Sequence, residues 1–416
     1  MRIFTPMDEA LSELYRLVKV KVDTERVPIP DAFRRIAAES VVSKFKIPPM
    51  NLSRVEGYAI RTEDLKSHKT LKITGRIRLG EVDGRELLPG EAQEVPTGGY
   101  LPRGADAALP IEYSRVDADA LSFEKEIARG GNVTPAGSDI SIGQTVIQKG
   151  QEIRAQDLDL LAIVRMQDIA VYRKPKVSII STGSELTEDY AHPPAGKIPS
   201  SHNLLVSGMV NDSGGIPLNL GIASDEPDVL KGKLDEGLRR SDIILTIGGS
   251  SVGRADIVSK SINSLGKPGM VVEGVMLQPG RVSGFGIVEG KPIVLLPGFV
   301  LSTIISFALF VKPLFEVVTN RSPSPFGPAI GATLKEDVSF TSFSSFRKAV
   351  FVKLTHDQDS FGAKPLRGDS SMISVLHGCD GLIVTDEKKS GLKSGEKVLV
   401  HLLPGCSSLS KIGGRT

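Results

Sequence analysis

Three stretches constrain this chain more than any others: KPKVSIIST at 174–182, SDIILTIGG at 241–249 and KPIVLLPG at 291–298. Each is a near-continuous apolar run that stops on small residues. A strand with one wet face alternates apolar and polar residues, whereas a run apolar on both faces belongs to a parallel sheet covered on both sides. Helix-length segments lie between and after these runs: one around 201–213, then EPDVLKGKLDEGLRR, ADIVSKSINSLG and LSTIISFALFVKPLF, with NLGIASD as a further strand. Strands alternating with helices predict a mostly parallel α/β domain, expected at 173–320.

The flanks read differently. Residues 1–172 carry short strand signals cut by turns at GRIRLGEVDG, LLPGEAQEVPTGGYLPRG and IARGGN, with helical character at 7–20, 29–40 and 154–164. Two discontinuous β-rich lobes are expected there. RSPSPFGP after Asn320 is a joint, and residues 321–416 hold strand-like KAVFVKLT, GLIVTD and EKVLVHLL, predicting a small β-barrel. The fold class is therefore α/β plus β, in several domains.

Residues 293–311 form a run without formal charge at a membrane-spanning length, but Pro297 and Gly298 divide it into a strand, a turn and a packed helix. Lys plus Arg is 51 against 49 for Asp plus Glu, a net charge of +2, with no long charged block and no Trp. That argues against charge-driven nucleic-acid binding and against base-stacking platforms. Cys379 and Cys406 are too few for a disulfide framework, and the charged amino terminus lacks a signal-peptide core. A cytoplasmic protein with no membrane and no nucleic-acid partner is expected.

Three loops follow strong strands: ISTGSEL at 180–186, TIGGSSVGRAD at 246–256 and LLPGFVLS at 295–302. In a parallel sheet they share the carboxyl edge, where doubly wound folds bind ligands. Gly248, Gly249 and Gly253 permit close backbone approach to an anion, Ser250 and Ser251 add hydroxyls, and Thr182, Gly183, Pro297 and Gly298 sit on the neighbouring turns. The loop is neither a Walker sequence nor GxGxxG, so a tight connection without a ligand is the plain alternative. Glu185, Asp225 and Asp256 stand near strand ends and together suit a divalent cation such as Mg2+, although each alone reads as a helix cap or surface acid. LQPGRVSGFG at 277–286 brings Pro279, Gly280 and the basic Arg281, while the six histidines show no metal-ligand spacing.

Taken in order, these motifs resemble the MoeA or gephyrin E-domain type molybdopterin molybdenumtransferases along essentially the whole chain. IPPMNLSRVEGYAIR, VPTGGYLPRGADAALPIEY and GSDISIGQTVIQKGQEI are similar to that family's amino-terminal motifs, and ISTGSELTE, SSHN, LGIASDEPD, IGGSSVGRAD, LQPGRVSGFG and LLPGFVLS follow in its order. The resemblance implies a homodimer with a pterin-binding α/β domain and a closing β-barrel. It also implies a reaction: adenylylated molybdopterin is hydrolysed with release of AMP while molybdate, or tungstate, is inserted at the dithiolene, assisted by Mg2+. An upstream molybdopterin adenylyltransferase is the implied supplier.

Carried over singly, Asp139, Glu185, Asp225 and Asp256 match acidic family positions, and Glu56 replaces an Asp. Arg281 matches the second basic residue of a Lys-Pro-Gly-Lys-Pro turn, with Gln278 in place of the first. Arg347 and Ser370, or Ser371, fall near the carboxy-terminal Arg and Ser associated with the oxyanion. Ser184, Arg254 and Phe299-Val300 stand where the family has Asp, an acid, and Asn-Pro. Fewer acids and an added Arg disfavour a cation and favour an anion. The rival readings are a paralogue that binds a pterin or nucleotide without transferring metal, and a core that takes a different nucleotide.

Overall fold

The computed structural model describes residues 4–82, 84–249, 252–340, 345–357 and 360–403, with the backbone alone at 252–255 and 357. It divides into two compact units, one of residues 26–171 and one of residues 1–25 with 172–416.

The 26–171 unit is β-rich. Its six-stranded sheet runs Ala107–Pro110, Gly57–Ile60, Glu91–Val95, Thr70–Arg76, Ala120–Phe123, Ser114–Asp117 in spatial order, over a core with Ile60, Leu71, Leu109 and Leu121 fully buried. A second cluster joins Ala37 and Val41 to Ile147, Ile153, Leu161 and Ile169, so the two arms of chain that flank the sheet segment make a core of their own. The helix expected at 154–164 forms as Ala155–Ile163. The one expected at 29–40 does not. Only the 3-10 turn Ile29–Ala32 is helical, Arg34 adopts φ 59, and the amides of Ala37 and Ala38 donate instead to the carbonyls of Gln151 and Ala170, both at 2.9 Å. Distant backbone partners there override a local apolar spacing.

In the other unit the helix Met7–Leu17 buries Met7, Ala10, Leu11 and Leu14 in one cluster with Val177, Phe310 and Leu314. That spacing of three and four is a single helical stripe. The first 25 residues, counted with the amino-terminal region on sequence grounds, thus pack with the α/β domain. The α/β sheet has the spatial order Ile216–Ala223, Lys176–Thr182, Ile243–Gly248, Lys291–Leu296, Gly284–Val288, Pro268–Val272. The first four strands are parallel, in register Val177↔Ile243 and Ile244↔Ile293, and the fifth runs antiparallel to its neighbours. The three apolar runs are its central strands, with Ile179, Ile243, Leu245, Val294 and Leu296 fully buried.

The apolar segment after Gly298 is a core helix. It runs from Val300 to Val318 through a wide π turn at Phe307–Val311, and 89% of its most apolar window is buried inside the protein. Pro313, which has no N–H for an ordinary helical bond, comes two residues after that turn.

The expected barrel is present. Arg347–Asp357, Ser360–Pro365, Ala329–Leu334, Lys397–Leu402 and Gly381–Val384 pair successively, and the last pairs back with the first to close five strands around Leu334, Val352, Leu354, Ala363 and Val400. Ring closure leaves no open edge. A short strand of the α/β domain, Leu277–Gln278, pairs in parallel with the start of Arg347–Asp357, in register Gln278↔Lys348.

Candidate active site

A cavity of about 790 Å³ opens at the carboxyl edge of the α/β sheet. The strand Lys176–Thr182 has its sequence successor on one side and Ile243–Gly248 on the other, so the order reverses between them, the position where open α/β sheets take ligands. Ser181, Thr182, Ile247, Gly248 and Gly249 from these two ends line it. The walls come from Gln278–Pro279–Gly280–Arg281, from Pro297–Gly298–Phe299 with Ser302, from Ile198 to His202, and from Ser370, Ser371 and Ile373.

Local chemistry fixes each wall. Gly248 and Gly249 adopt φ +95° and +66°, and a Cβ on them would lie 2.8 Å from the Thr182 carbonyl oxygen and 2.9 Å from Thr182 Oγ1. Only glycine brings the two strand ends this close. Thr303 Oγ1 donates to the Pro297 carbonyl at 2.6 Å, which pins the 297–299 turn, and the Leu301 amide donates to the Ser370 carbonyl at 3.1 Å, which ties the 369–373 segment to the same helix start. Ser283 Oγ donates to the Gly280 carbonyl at 2.6 Å and holds the Arg281 turn. Ser200 Oγ donates to Ser181 Oγ at 2.8 Å, with both residues buried.

The lining is rich in hydroxyls and carries both signs of charge, Arg281 and Glu185. His202 is part of it, and burial holds its imidazole below the ordinary value of 6.5, toward the neutral form. Beside Glu185, Ser184 and Asp225 are joined through backbone and side chain at 3.3 and 3.4 Å, and Lys197 Nζ donates to the Ser184 carbonyl at 2.5 Å. A space of this size, lined by serines, threonine, glycines and an arginine, suits a small ligand bearing anionic oxygens.

Of the residues singled out from the sequence, the cavity brings together Thr182, Glu185, Gly248, Gly249, Pro279, Gly280, Arg281, Pro297, Gly298 and Ser370. Gly183 is buried directly after Thr182, its missing Cβ replaced by the Glu185 carboxylate. Asp225 stands beside the cavity through Ser184, and Asp256 is exposed on the helix Val252–Leu265, where Gly253 also lies. Among the described residues no three acidic, His or Cys side chains are grouped to hold a metal ion, so Glu185, Asp225 and Asp256 do not form the expected cation cage. Arg347 pairs with Asp8 at 2.7 Å and with Glu387 at 3.8 Å. Glu56 and Asp139 are exposed residues of the 26–171 unit. Ser250, Ser251 and the Arg254 side chain, like Cys406, lie outside the described residues.

Sequence reasoning passed over Ser181, Ser200, Ser201, His202 and Ser302 as lining residues. The serine pair in AGKIPSSHN was the available signal: it follows the two-residue strand Ile198–Pro199, which is parallel to Leu186–Thr187 and returns the chain to the sheet edge.

The comparisons agree along the chain. Three family models match in order: the MoeA N-terminal region (domain I and II) over residues 5–164, a "Probable molybdopterin binding domain" over 178–317, and the MoeA C-terminal region (domain IV) over 333–403. A Methanocaldococcus jannaschii protein named for molybdopterin biosynthesis is 30% identical over 410 residues, covering 96% of each chain. The Bacillus subtilis molybdopterin molybdenumtransferase is 28% identical, covering 96% of this chain and 94% of its own. The crystal structure of a molybdopterin biosynthesis MoeA protein from Pyrococcus horikoshii superposes with a TM-score of 0.85 at 30% identity, over 97% of this chain and 100% of that one. With the fold, the order of motifs and these relatives in agreement, the chain belongs to the MoeA family.

Proposed function

We propose that this chain is a molybdopterin molybdenumtransferase of molybdenum cofactor biosynthesis, which inserts molybdate or tungstate into adenylylated molybdopterin and releases AMP. The observation that carries the reading is the cavity itself: a switch-point crevice walled by glycine backbone, by serine and threonine hydroxyls and by Arg281, in a chain of this family. In this reading Thr182, Gly248 and Gly249 receive the phosphate, Arg281 and Ser370 face the oxyanion, and the Glu185 carboxylate orients the hydrolytic water. Asp225 steadies the Glu185 loop through Ser184. Glu56, Asp139, Asp256 and Arg347 belong to the reading by motif alone.

A Mg2+ ion, when bound, would neutralise phosphate charge during hydrolysis. The donors present fit an ion carried mainly by substrate phosphates, which is usual for Mg2+, with Glu185 as the protein carboxylate in the cavity wall and Asp225 next in line. A cytoplasmic homodimer, supplied by the adenylyltransferase that makes its substrate, completes the proposal. Ile198, Phe299 and Ile373, at 57%, 58% and 62% exposure around the cavity, are apolar surface of the kind a second copy covers.

AMP release from adenylylated molybdopterin, measured with Mg2+ and with molybdate or tungstate in turn, tests the reading. Release that depends on one oxyanion establishes the transferase and identifies its metal. Tight substrate binding with no AMP under any condition would leave a pterin-binding relative.

A further inference from the structure

Lys348 is a lysine with 4% exposure, on the barrel strand that pairs with the cavity turn. Its Nζ donates to Gln278 Oε1 at 2.7 Å, across the register pair Gln278↔Lys348, and Gln278 lines the cavity. Thr385 clamps the lysine backbone from both sides: its Oγ1 accepts from the Lys348 amide at 2.9 Å and its own amide donates to the Lys348 carbonyl at 2.8 Å. Position 278 is where the resembling turn carries its first basic residue, so the chain has a neutral amide at the wall with an ammonium behind it.

Two physical consequences follow from the bond. An ammonium can only donate, so it fixes the amide of Gln278 with the carbonyl oxygen toward the barrel and the NH2 group away from it. A cation withdrawn from water also projects its field further than a solvated one, because less dielectric screening lies around it, while the same burial draws the Lys348 pKa below its ordinary 10.5. We propose that Lys348 supplies, through Gln278, the positive charge and the oriented N–H donors that this wall presents to a tetrahedral oxyanion. The charge lost at position 278 is thereby relocated one layer back, onto the barrel. Lys348 acts as a positioning residue. The proposal rests on the functional reading above in taking an oxyanion as the ligand.

The test measures molybdate and tungstate affinity by calorimetry on the full chain, beside AMP release. Lys348→Met is expected to weaken oxyanion binding roughly tenfold or more, the scale of a lost charge-assisted hydrogen bond. In turnover the loss falls on the oxyanion KM, with kcat changed by less than about threefold. The double variant Lys348→Met with Gln278→Lys, which returns the cation to the wall, is expected to recover the affinity. A purely structural lysine would give no such rescue. Should Lys348→Met fail to fold, Gln278→Leu, which leaves the lysine and removes the donors, is expected to show the same loss.

Unchanged affinity in Lys348→Met, or in Gln278→Leu, overturns the proposal, as does a folded double variant without rescue or a wild type that binds neither oxyanion. A wild type that binds an oxyanion yet releases no AMP removes the transferase reading and leaves this one to be decided by the same affinities.

Discussion

Ser184 and Asp225 hold each other across the ends of two strands: the Ser184 amide donates to Asp225 Oδ2 at 3.4 Å, and the Asp225 amide donates to Ser184 Oγ at 3.3 Å. A serine there leaves Glu185 as the one carboxylate of this turn, where the resembling motif has two. Ser184→Asp keeps an acceptor for the Asp225 amide and adds a negative charge. It is expected to lower the Mg2+ concentration for half-maximal AMP release by about three- to tenfold, because ligand charge sets affinity for hard cations. A Mg2+ titration of the variant checks this, and an unmoved midpoint would show that the cation does not sense this corner.

Gly249→Ala addresses the floor. A methyl group at φ +66° meets Thr182 Oγ1 at 2.9 Å and Val258 Cγ2 at 3.0 Å, so backbone strain and crowding act together. The expected loss is roughly 1–3 kcal/mol of stability, read as a lower urea midpoint with an unchanged slope. Weaker substrate binding should accompany it, since the Thr182 side chain has to move. A variant with the wild-type midpoint would mean that the strand ends are looser than their register implies.

Asp242, 6% exposed, accepts from Arg173 at 2.7 and 2.8 Å and from the Lys176 amide at 2.8 Å. Burial alone would raise its pKa, but the Arg173 and Lys176 hydrogen bonds outweigh it and hold the carboxyl below its ordinary 3.8. A depressed carboxylate stabilises the fold above its unfolded value, and that stabilisation fades as pH falls through the folded value. Asp242→Asn is expected to lose about 2–4 kcal/mol at neutral pH, from a buried pair left half-made. The gap in melting temperature between variant and wild type should then narrow below about pH 3.8. A gap constant with pH would assign the loss to packing instead of charge.

What the sequence made legible was what local patterning controls. The central strands 176–182, 243–248 and 291–296 announced themselves as apolar runs, and their terminal glycines and prolines marked the cavity, because a buried parallel strand can be composed in few ways. The barrel followed from short strands and turn residues. Illegible were features settled by remote partners. The 29–40 segment has helical spacing, yet Ala37 and Ala38 are claimed by backbone partners over a hundred residues away. Arg347, read by motif as an oxyanion ligand, is met by Asp8 from the chain's other end. Ser200 and His202 reach the cavity through a two-residue strand too short to leave a pattern.

The helix Met7–Leu17 is made about 300 residues before Phe310 and Leu314, which share its core. At ordinary elongation rates that interval is roughly 15–60 s. Through it the stripe of Met7, Leu11 and Leu14 lacks those two partners, while residues 26–171, a compact unit, are already made. The helix Val300–Val318 thus completes the cover of the Met7–Leu17 stripe, and a ribosome stalled before residue 310 would leave that stripe partly uncovered for chaperones.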